Sequence, residues 1–190
     1  MVSVPTRQRL LETALSVFAE QGTDGGSMRE IARRAGVNVA TAYHHFGSKR
    51  DLFLAIFKER GFLDMPYDTS WVVEGLDPHV IIETLCMGAW TLMSSGADVL
   101  RLALSEAMKG DAEVRSVFED WREQGDRYLE EVLVRSGMAS GPVATRRAWV
   151  LRSVIWATFI SELVEGRFDA STLQGRARDT AATLLEGRWV

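Results

Sequence analysis

A single cysteine, Cys86, in a chain of 190 residues excludes an internal disulfide and any zinc cluster made of cysteines. Set among apolar neighbours, it reads as a small buried hydrophobe rather than a reactive thiol. Histidine is nearly as scarce. His44 and His45 stand side by side and His79 stands apart, which leaves no metal triad. No phosphate-cradling glycine loop, serine elbow or paired-carboxylate constellation occurs, so the chain does not read as an enzyme and calls for no cofactor. Long apolar runs are missing too: the longest nearly uncharged stretch, Thr84 to Ala97, falls short of the about 18 residues of a membrane span. The polar start MVSVPTRQR does not fit a signal peptide, and a cytoplasmic protein with no membrane partner is expected. Alternating strand patterns are absent as well, which points to an all-α protein. With 46% hydrophobic residues the chain can bury a sizeable core as one or two domains.

The net charge of −4 argues at first against a nucleic-acid partner, but its distribution reverses that reading. Residues 1–58 carry eight Lys or Arg against five Asp or Glu, which leaves +3 there and −7 in the remainder. In that basic segment the stretch SMREIARRAGVNVATAYHHF, residues 27–46, spells two short helices around a tight turn. Ser27 can cap the first, which turns Ile31, Ala32 and Ala35 to one side, and Gly36 supplies the positive φ that ends it. Asn38 can cap the second by accepting from the amide of Ala40 or Thr41, with Ala42 and Phe46 inward at a spacing of four. Ala32 is small where the two helices must meet, and Val37 can plug the gap between them. The pattern is a helix-turn-helix. The outer face of its second helix shows Val39, Ala40, Thr41, Tyr43 and His44. Short side chains there admit close approach to a base edge, and the hydroxyls of Thr41 and Tyr43 suit phosphate oxygens.

A helix over Thr6–Gln21, with Leu10, Leu11, Ala14, Leu15, Val17 and Phe18 in one stripe, should brace this pair, and Gly22, Gly25 and Gly26 should form the loop between. After Gly47, Ser48 with Asp51 opens a fourth helix whose inner face is Leu52, Phe53, Ile56 and Phe57. Lys49 in its first turn can reach a phosphate.

The run IARRAGVNVATAYHHFGSKRDLF resembles the DNA-binding head of the tetracycline-repressor (TetR) family of bacterial transcription regulators. The likeness spans roughly Thr6 to Phe62, and its tyrosine, two residues, phenylalanine, two residues, lysine spacing is more specific than a generic helix-turn-helix. It implies an N-terminal three-helix DNA-binding head followed by a helical bundle for ligand binding and dimerisation. By the same resemblance, Arg29, Val39, Ala40, Thr41, Tyr43, His45 and Lys49 occupy positions that meet DNA, and His44 joins them on the exposed face. Ala42 stands where leucine is usual and Ala40 where glycine or proline is frequent, so base preference stays open.

Pro66 and Pro78 bracket a boundary loop, and the expected division is 1–62 for DNA binding and 63–190 for the body. Helices are expected from Pro78 to about Ser95, after Gly96 to Lys109, from about Asp111 to Arg135, from about Pro142 to Glu165, and from about Ser171 to Leu185. In the third of these Gly125 shares the inner face with Trp121 and Tyr128 and signals close approach, a kink or room for a ligand. The Pro142–Glu165 helix is apolar in almost every direction. It therefore needs its own core on one side and a second copy on the other, although a central helix of a monomer meets the same pattern. The last helix offers Ala177, Ala181 and Leu184 as a small-residue stripe.

The TetR resemblance implies that these last two helices pair across a homodimer, with Leu151, Ile155, Ala177, Ala181 and Leu184 as interface residues, and that a small-molecule site lies in the body. Trp71, Met87, Trp90, Met93, Trp121, Gly125, Tyr128, Trp156 and Phe159 are its candidate lining, each of which also suits ordinary core, and together they suit a largely apolar effector. The expected function is a ligand-responsive repressor that releases double-stranded operator DNA when the effector binds. An activator, or an interaction adaptor using the helix-turn-helix as scaffold, remains as the alternative. All six tryptophans lie outside the basic segment.

Overall fold

Three short polar side chains, each one residue ahead of a helix, set the start of the chain. The computed structural model describes residues 4–60, 67–166 and 170–186; the expected boundary at 62/63, Phe62, Pro66 and Trp189 lie outside them. Ser27 Oγ accepts from the Glu30 amide at 3.2 Å, Asn38 Oδ1 from the Ala40 amide at 2.9 Å, and Ser48 Oγ from the Asp51 amide at 3.0 Å. Each satisfies an amide that a helix start leaves without an internal acceptor. These caps open α2 (Met28–Arg34), α3 (Val39–Phe46) and α4 (Lys49–Arg60). Between α2 and α3, Gly36 takes φ 67°, the Val37 amide donates to the Ala32 carbonyl and the Gly36 amide to that of Arg33. This pair of bonds is the Schellman stop that a left-handed glycine makes possible.

The first helix, α1 (Thr6–Gly25), runs past its expected end at Gln21. Gly22 breaks the spiral with φ 72° and ψ 167°, and one further helical turn follows it, so the glycine pair at 25 and 26 closes a turn rather than an open loop.

Beyond these lie α5 (Pro78–Ser95), α6 (Ala97–Met108), α7 (Ala112–Arg135), α8 (Gly141–Glu165) and α9 (Ala170–Glu186). Among the described residues there is no strand, and no single helix is long and apolar enough to cross a membrane. The architecture is all-α, with an N-terminal helix-turn-helix and further helices C-terminal to it.

The chain forms two packed units, Met1–Asp64 with Gly96–Phe118, and Met65–Ser95 with Glu119–Val190. The first is built on Leu10, Ala14, Val17 and Phe18 of α1, Ile31 and Ala32 of α2, Ala42 and Phe46 of α3, and Leu52, Phe53, Ile56 and Phe57 of α4. Sequence order puts α6 in the body, yet its Val99, Leu102 and Ala103, with Val114 from the start of α7, are buried in this same core. The α1–α4 pair leaves an apolar face that α6 closes. Aromatic edges tighten it: Phe18 meets Phe53 at 5.8 Å between centroids and Phe53 meets Phe57 at 4.8 Å, both near perpendicular.

In the second unit α5 packs chiefly along α9 and also against α8. Ile81, Ile82, Leu85, Cys86, Trp90 and Met93 are its buried side, and α9 contributes Leu173, Ala177 and Ala181. The Trp90 indole donates to the Ile155 carbonyl at 2.9 Å, and Arg176 reaches the buried Glu162 carboxylate at 3.3 Å. Burial pushes the Cys86 thiol up to about 12, with Glu83 adding in the same direction. Thiol reagents act on the thiolate. In the native protein at mildly alkaline pH, Cys86 should stay unmodified by a disulfide reagent over hours and react fully once urea unfolds the chain; rapid native labelling would contradict this packing.

Candidate nucleic-acid interface

The helix-turn-helix sorts its side chains by burial. Ala42 and Phe46 of α3 face the core, while Val39, Ala40, Tyr43, His44 and His45 are exposed, Tyr43 by 49%, and Thr41 is half-buried. The His44 and His45 rings stand 5.9 Å apart, edge to face. An exposed tyrosine and valine on an eight-residue helix contribute little to the unit's own core; they form a ready contact surface. Arg29, second residue of α2, is exposed beside this pair of helices.

Charge is apportioned unevenly among the neighbouring arginines. Arg33 and Arg34 both donate to Glu30, and Arg34 also to Glu20. Hydrogen bonds from Arg33 and then Arg34 pull the Glu30 carboxyl down to about 2. Arg50 forks onto Asp111 and Glu113, at 2.7 Å to Asp111 Oδ1 and 3.0 Å from Nε to Glu113. Those bonds hold Asp111 below, and Arg50 above, their ordinary ranges. Arg7 pairs with Glu59 and lies over the Phe46 ring at 4.7 Å. Lys49, expected at a phosphate, donates in the free chain to the carbonyls of Thr23 at 2.8 Å and Gly26 at 3.0 Å, and more weakly to that of Asp24 at 3.5 Å. The Arg50 fork and the bond that the buried Glu106 accepts from the Thr23 hydroxyl at 3.0 Å were not legible in the sequence. Asp111 reads there only as a helix cap, and nothing local ties it to a residue 61 positions earlier.

The expected ligand residues divide. Trp90, Met93 and Phe159 are buried core of the second unit, whereas Trp71, Met87, Trp121, Tyr128 and Trp156 are only partly buried. The Trp71 indole donates to the Tyr128 hydroxyl at 3.2 Å, and Tyr67 leans on Tyr128 with 5.5 Å between centroids. Beside Gly125, a Cβ would find its nearest neighbour, Arg152 Cδ, only at 3.9 Å, so close helix approach is not the reason for that glycine. Among the described residues no group of histidine, cysteine or carboxylate side chains could hold a metal ion.

The expected interface residues lie mostly inward in the single chain. Leu151, Ile155, Ala177 and Ala181 are buried within the single chain, and Leu184 is partly so. The four buried ones form the protomer's own core, because α5 packs on the side of α8 and α9 that carries them. An all-round apolar pattern cannot say which side is inward. The face left exposed carries Trp149, at 59%, and Val164, at 80%, with the half-buried Ser153 and Ile160 recurring at helical spacing between them.

A capped helix pair with one inward and one open face, on a basic segment and followed by a helical body, is the architecture of the helix-turn-helix class of DNA-binding proteins. The profile described as "Bacterial regulatory proteins, tetR family" matches residues 10–56. The HTH-type transcriptional regulator AcrR of Shigella flexneri is 31% identical over 199 aligned positions, covering 95% of this chain and 88% of that protein. The HTH-type transcriptional repressor AcnR of Corynebacterium efficiens is 26% identical, over 86% of this chain and 84% of its own. A transcriptional regulator from Aquifex aeolicus VF5 shares the fold with a TM-score of 0.73 at 17% identity, covering 95% of this chain and 99% of that one. The chain belongs to the TetR family of bacterial transcription regulators, and its class is regulation rather than catalysis.

The turn leading into α2 offers a direct check. Gly26 has ordinary backbone angles, φ −70° and ψ 141°, but a Cβ there would lie 2.9 Å from the Phe18 ring and 3.0 Å from Val17. Gly26→Ala should therefore cost about 1–3 kcal/mol by overpacking, despite the gain alanine brings by stiffening the unfolded chain. Urea unfolding of the two proteins side by side measures it, and equal midpoints would mean that Phe18 yields freely.

Proposed function

We propose that this protein is a cytoplasmic, homodimeric repressor that binds a near-palindromic operator through α3 and lets go when a small, largely apolar molecule occupies its body. The observation that carries the reading is the open face of α3. Val39, Ala40, Tyr43 and His44 are exposed on the helix that a helix-turn-helix presents to the major groove, with His45 beside them. In this proposal residues 1–62 read DNA and residues 63–190 sense the effector and dimerise. Val39 and Ala40 sit at base edges, Thr41, Tyr43 and the histidines reach phosphates and flanking bases, and Arg29 supplies a charged phosphate contact. The partly buried aromatics Trp71, Trp121, Tyr128 and Trp156, with Gly125 on the same helix as Trp121 and Tyr128, supply the apolar surface that the effector would use. Effector and operator would oppose one another because each favours a different arrangement of the helices, and the coupling is reciprocal by linkage.

Selection from random duplexes should return a two-fold symmetric site, with affinity that falls linearly on a log–log plot against salt. Arg29→Ala should make that slope shallower by about 0.9 and weaken all sequences alike, as loss of one phosphate contact does, whereas Val39 substitutions should change which bases are selected. Purified protein that selects no sequence at low salt would sink the regulator reading in favour of the adaptor.

The exposed face of α8 is the surface proposed for the second copy. Trp149→Glu or Val164→Glu should convert a dimer into a folded monomer in sedimentation at micromolar concentration and sharply weaken operator binding. Ile155→Glu should instead unfold the second unit, since a charge would be buried without a partner. Folded dimers from both surface variants would place the interface elsewhere.

A further inference from the structure

Lys49 is the first residue of α4, and its ammonium is spent inside the protein. It donates to the carbonyls of Thr23 and Gly26 at 2.8 and 3.0 Å and faces that of Asp24 at 3.5 Å. An ammonium carries three N–H bonds; Thr23 and Gly26 take two at normal length, and the third faces the Asp24 oxygen at the limit of a hydrogen bond. The Thr23 and Asp24 oxygens belong to the last turn of α1, where carbonyls lack helical partners and the negative end of the helix favours a cation. The side chain thus caps α1 from a distance of more than twenty residues in sequence.

The turn it holds is also gripped on other sides. Gly26 lies against Val17 and the Phe18 ring, and the Thr23 hydroxyl donates to the buried Glu106, which in turn pairs with Lys109 at 2.6 Å. The residue after Gly26 is Ser27, the cap of α2, and α3 packs on α2. Any slackening at residues 23–26 therefore moves Arg29 and, through α2, the exposed face of α3. For Lys49 to neutralise a phosphate it would have to abandon the carbonyl cage and leave the partly buried oxygens of Thr23 and Gly26 without donors.

We propose that Lys49 serves operator recognition as a positioning residue, a clamp that fixes the entry to the helix-turn-helix, and not as a phosphate contact. The proposal rests on the DNA-binding reading above and reassigns one residue within it.

Two substitutions separate clamp from contact. Lys49→Arg keeps the charge and serves a phosphate well, but its planar fork cannot direct three N–H bonds to oxygens grouped around one point. Lys49→Met keeps the stem and removes the ammonium. As a clamp, Lys49 makes both variants alike: amide hydrogen exchange at Gly26 and Glu30 of the free protein rises by about tenfold, operator affinity falls by a similar factor, and the salt slope stays close to that of the parent. A phosphate contact instead leaves Lys49→Arg binding and exchanging like the parent while Lys49→Met lowers the slope by about 0.9, and that result would overturn the proposal.

A measurement without substitution guards against variants that do not fold. In 15N-labelled parent protein the Lys49 ammonium signal should persist at neutral pH, because its protons are held, and should not shift when operator is added. Its absence from the free protein, or a shift on DNA, would overturn the clamp. Exchange and ammonium signals are read in the free protein first, so they judge the clamp by themselves; a parent protein that selects no operator fails at the earlier step and sinks the DNA-binding reading.

Discussion

Helices of seven and eight residues do not survive alone in water, and α2 and α3 are of that length. Everything that α3 can do depends on their burial against longer neighbours. Ile31, Ala32, Ala42 and Phe46 supply that burial, with α1 and α4 as the walls and α6 closing the remaining side. Capping fixes where each short helix begins, at about 1 kcal/mol for each cap, and burial fixes which face turns inward. The result is a rigid small surface whose outward residues are free to vary in chemistry without touching the fold.

Electrostatics in the first unit follow a division of labour. Arg33, Arg34 and Arg50 are engaged by carboxylates, mostly near the surface, where each pair is worth little on its own but where a fork onto two acids fixes direction. Arg50 draws the start of α7 onto α4, and Arg34 ties α2 to Glu20 of α1. The count of +3 for residues 1–58 already subtracts Glu20 and Glu30, but Arg50 is also paired with Asp111 and Glu113 outside that segment, so the count overstates what is offered to a polyanion.

Much of the fold was legible because its punctuation is local. Ser27, Gly36, Asn38, Ser48, Asp77 and Gly96 each mark a helix end through their own backbone or a side chain reaching two or three residues, and the observed helices start and stop within a residue or two of those marks. The continuation of α1 past Gly22 was not legible, since a glycine that kinks a helix and one that ends it look the same in sequence. The outer face of α3 followed from the inner one. What could not be read was pairing over long separations: Lys49 with the turn at 23–26, Arg50 with Asp111, Thr23 with Glu106. Charged residues on helix surfaces have many possible partners, and only the packed structure chooses. Which side of α8 faces inward was not legible for a related reason, because Leu151 and Ile155 are as apolar as Trp149 and Val164, and periodicity alone ranks neither as inward.

The first unit draws its core from two stretches of chain separated by α5, and this bears on how such a protein is made. As it leaves the ribosome, the helix-turn-helix emerges long before Val99, Leu102, Ala103 and Val114 are available to cover Phe53 and its neighbours. The segment that reads DNA must wait, incompletely packed, for synthesis to pass the middle of the chain. The same arrangement limits recombination: a crossover near residue 62 would join one lineage's α1–α4 to another's α6, and only graft partners whose apolar faces match would yield a folded head.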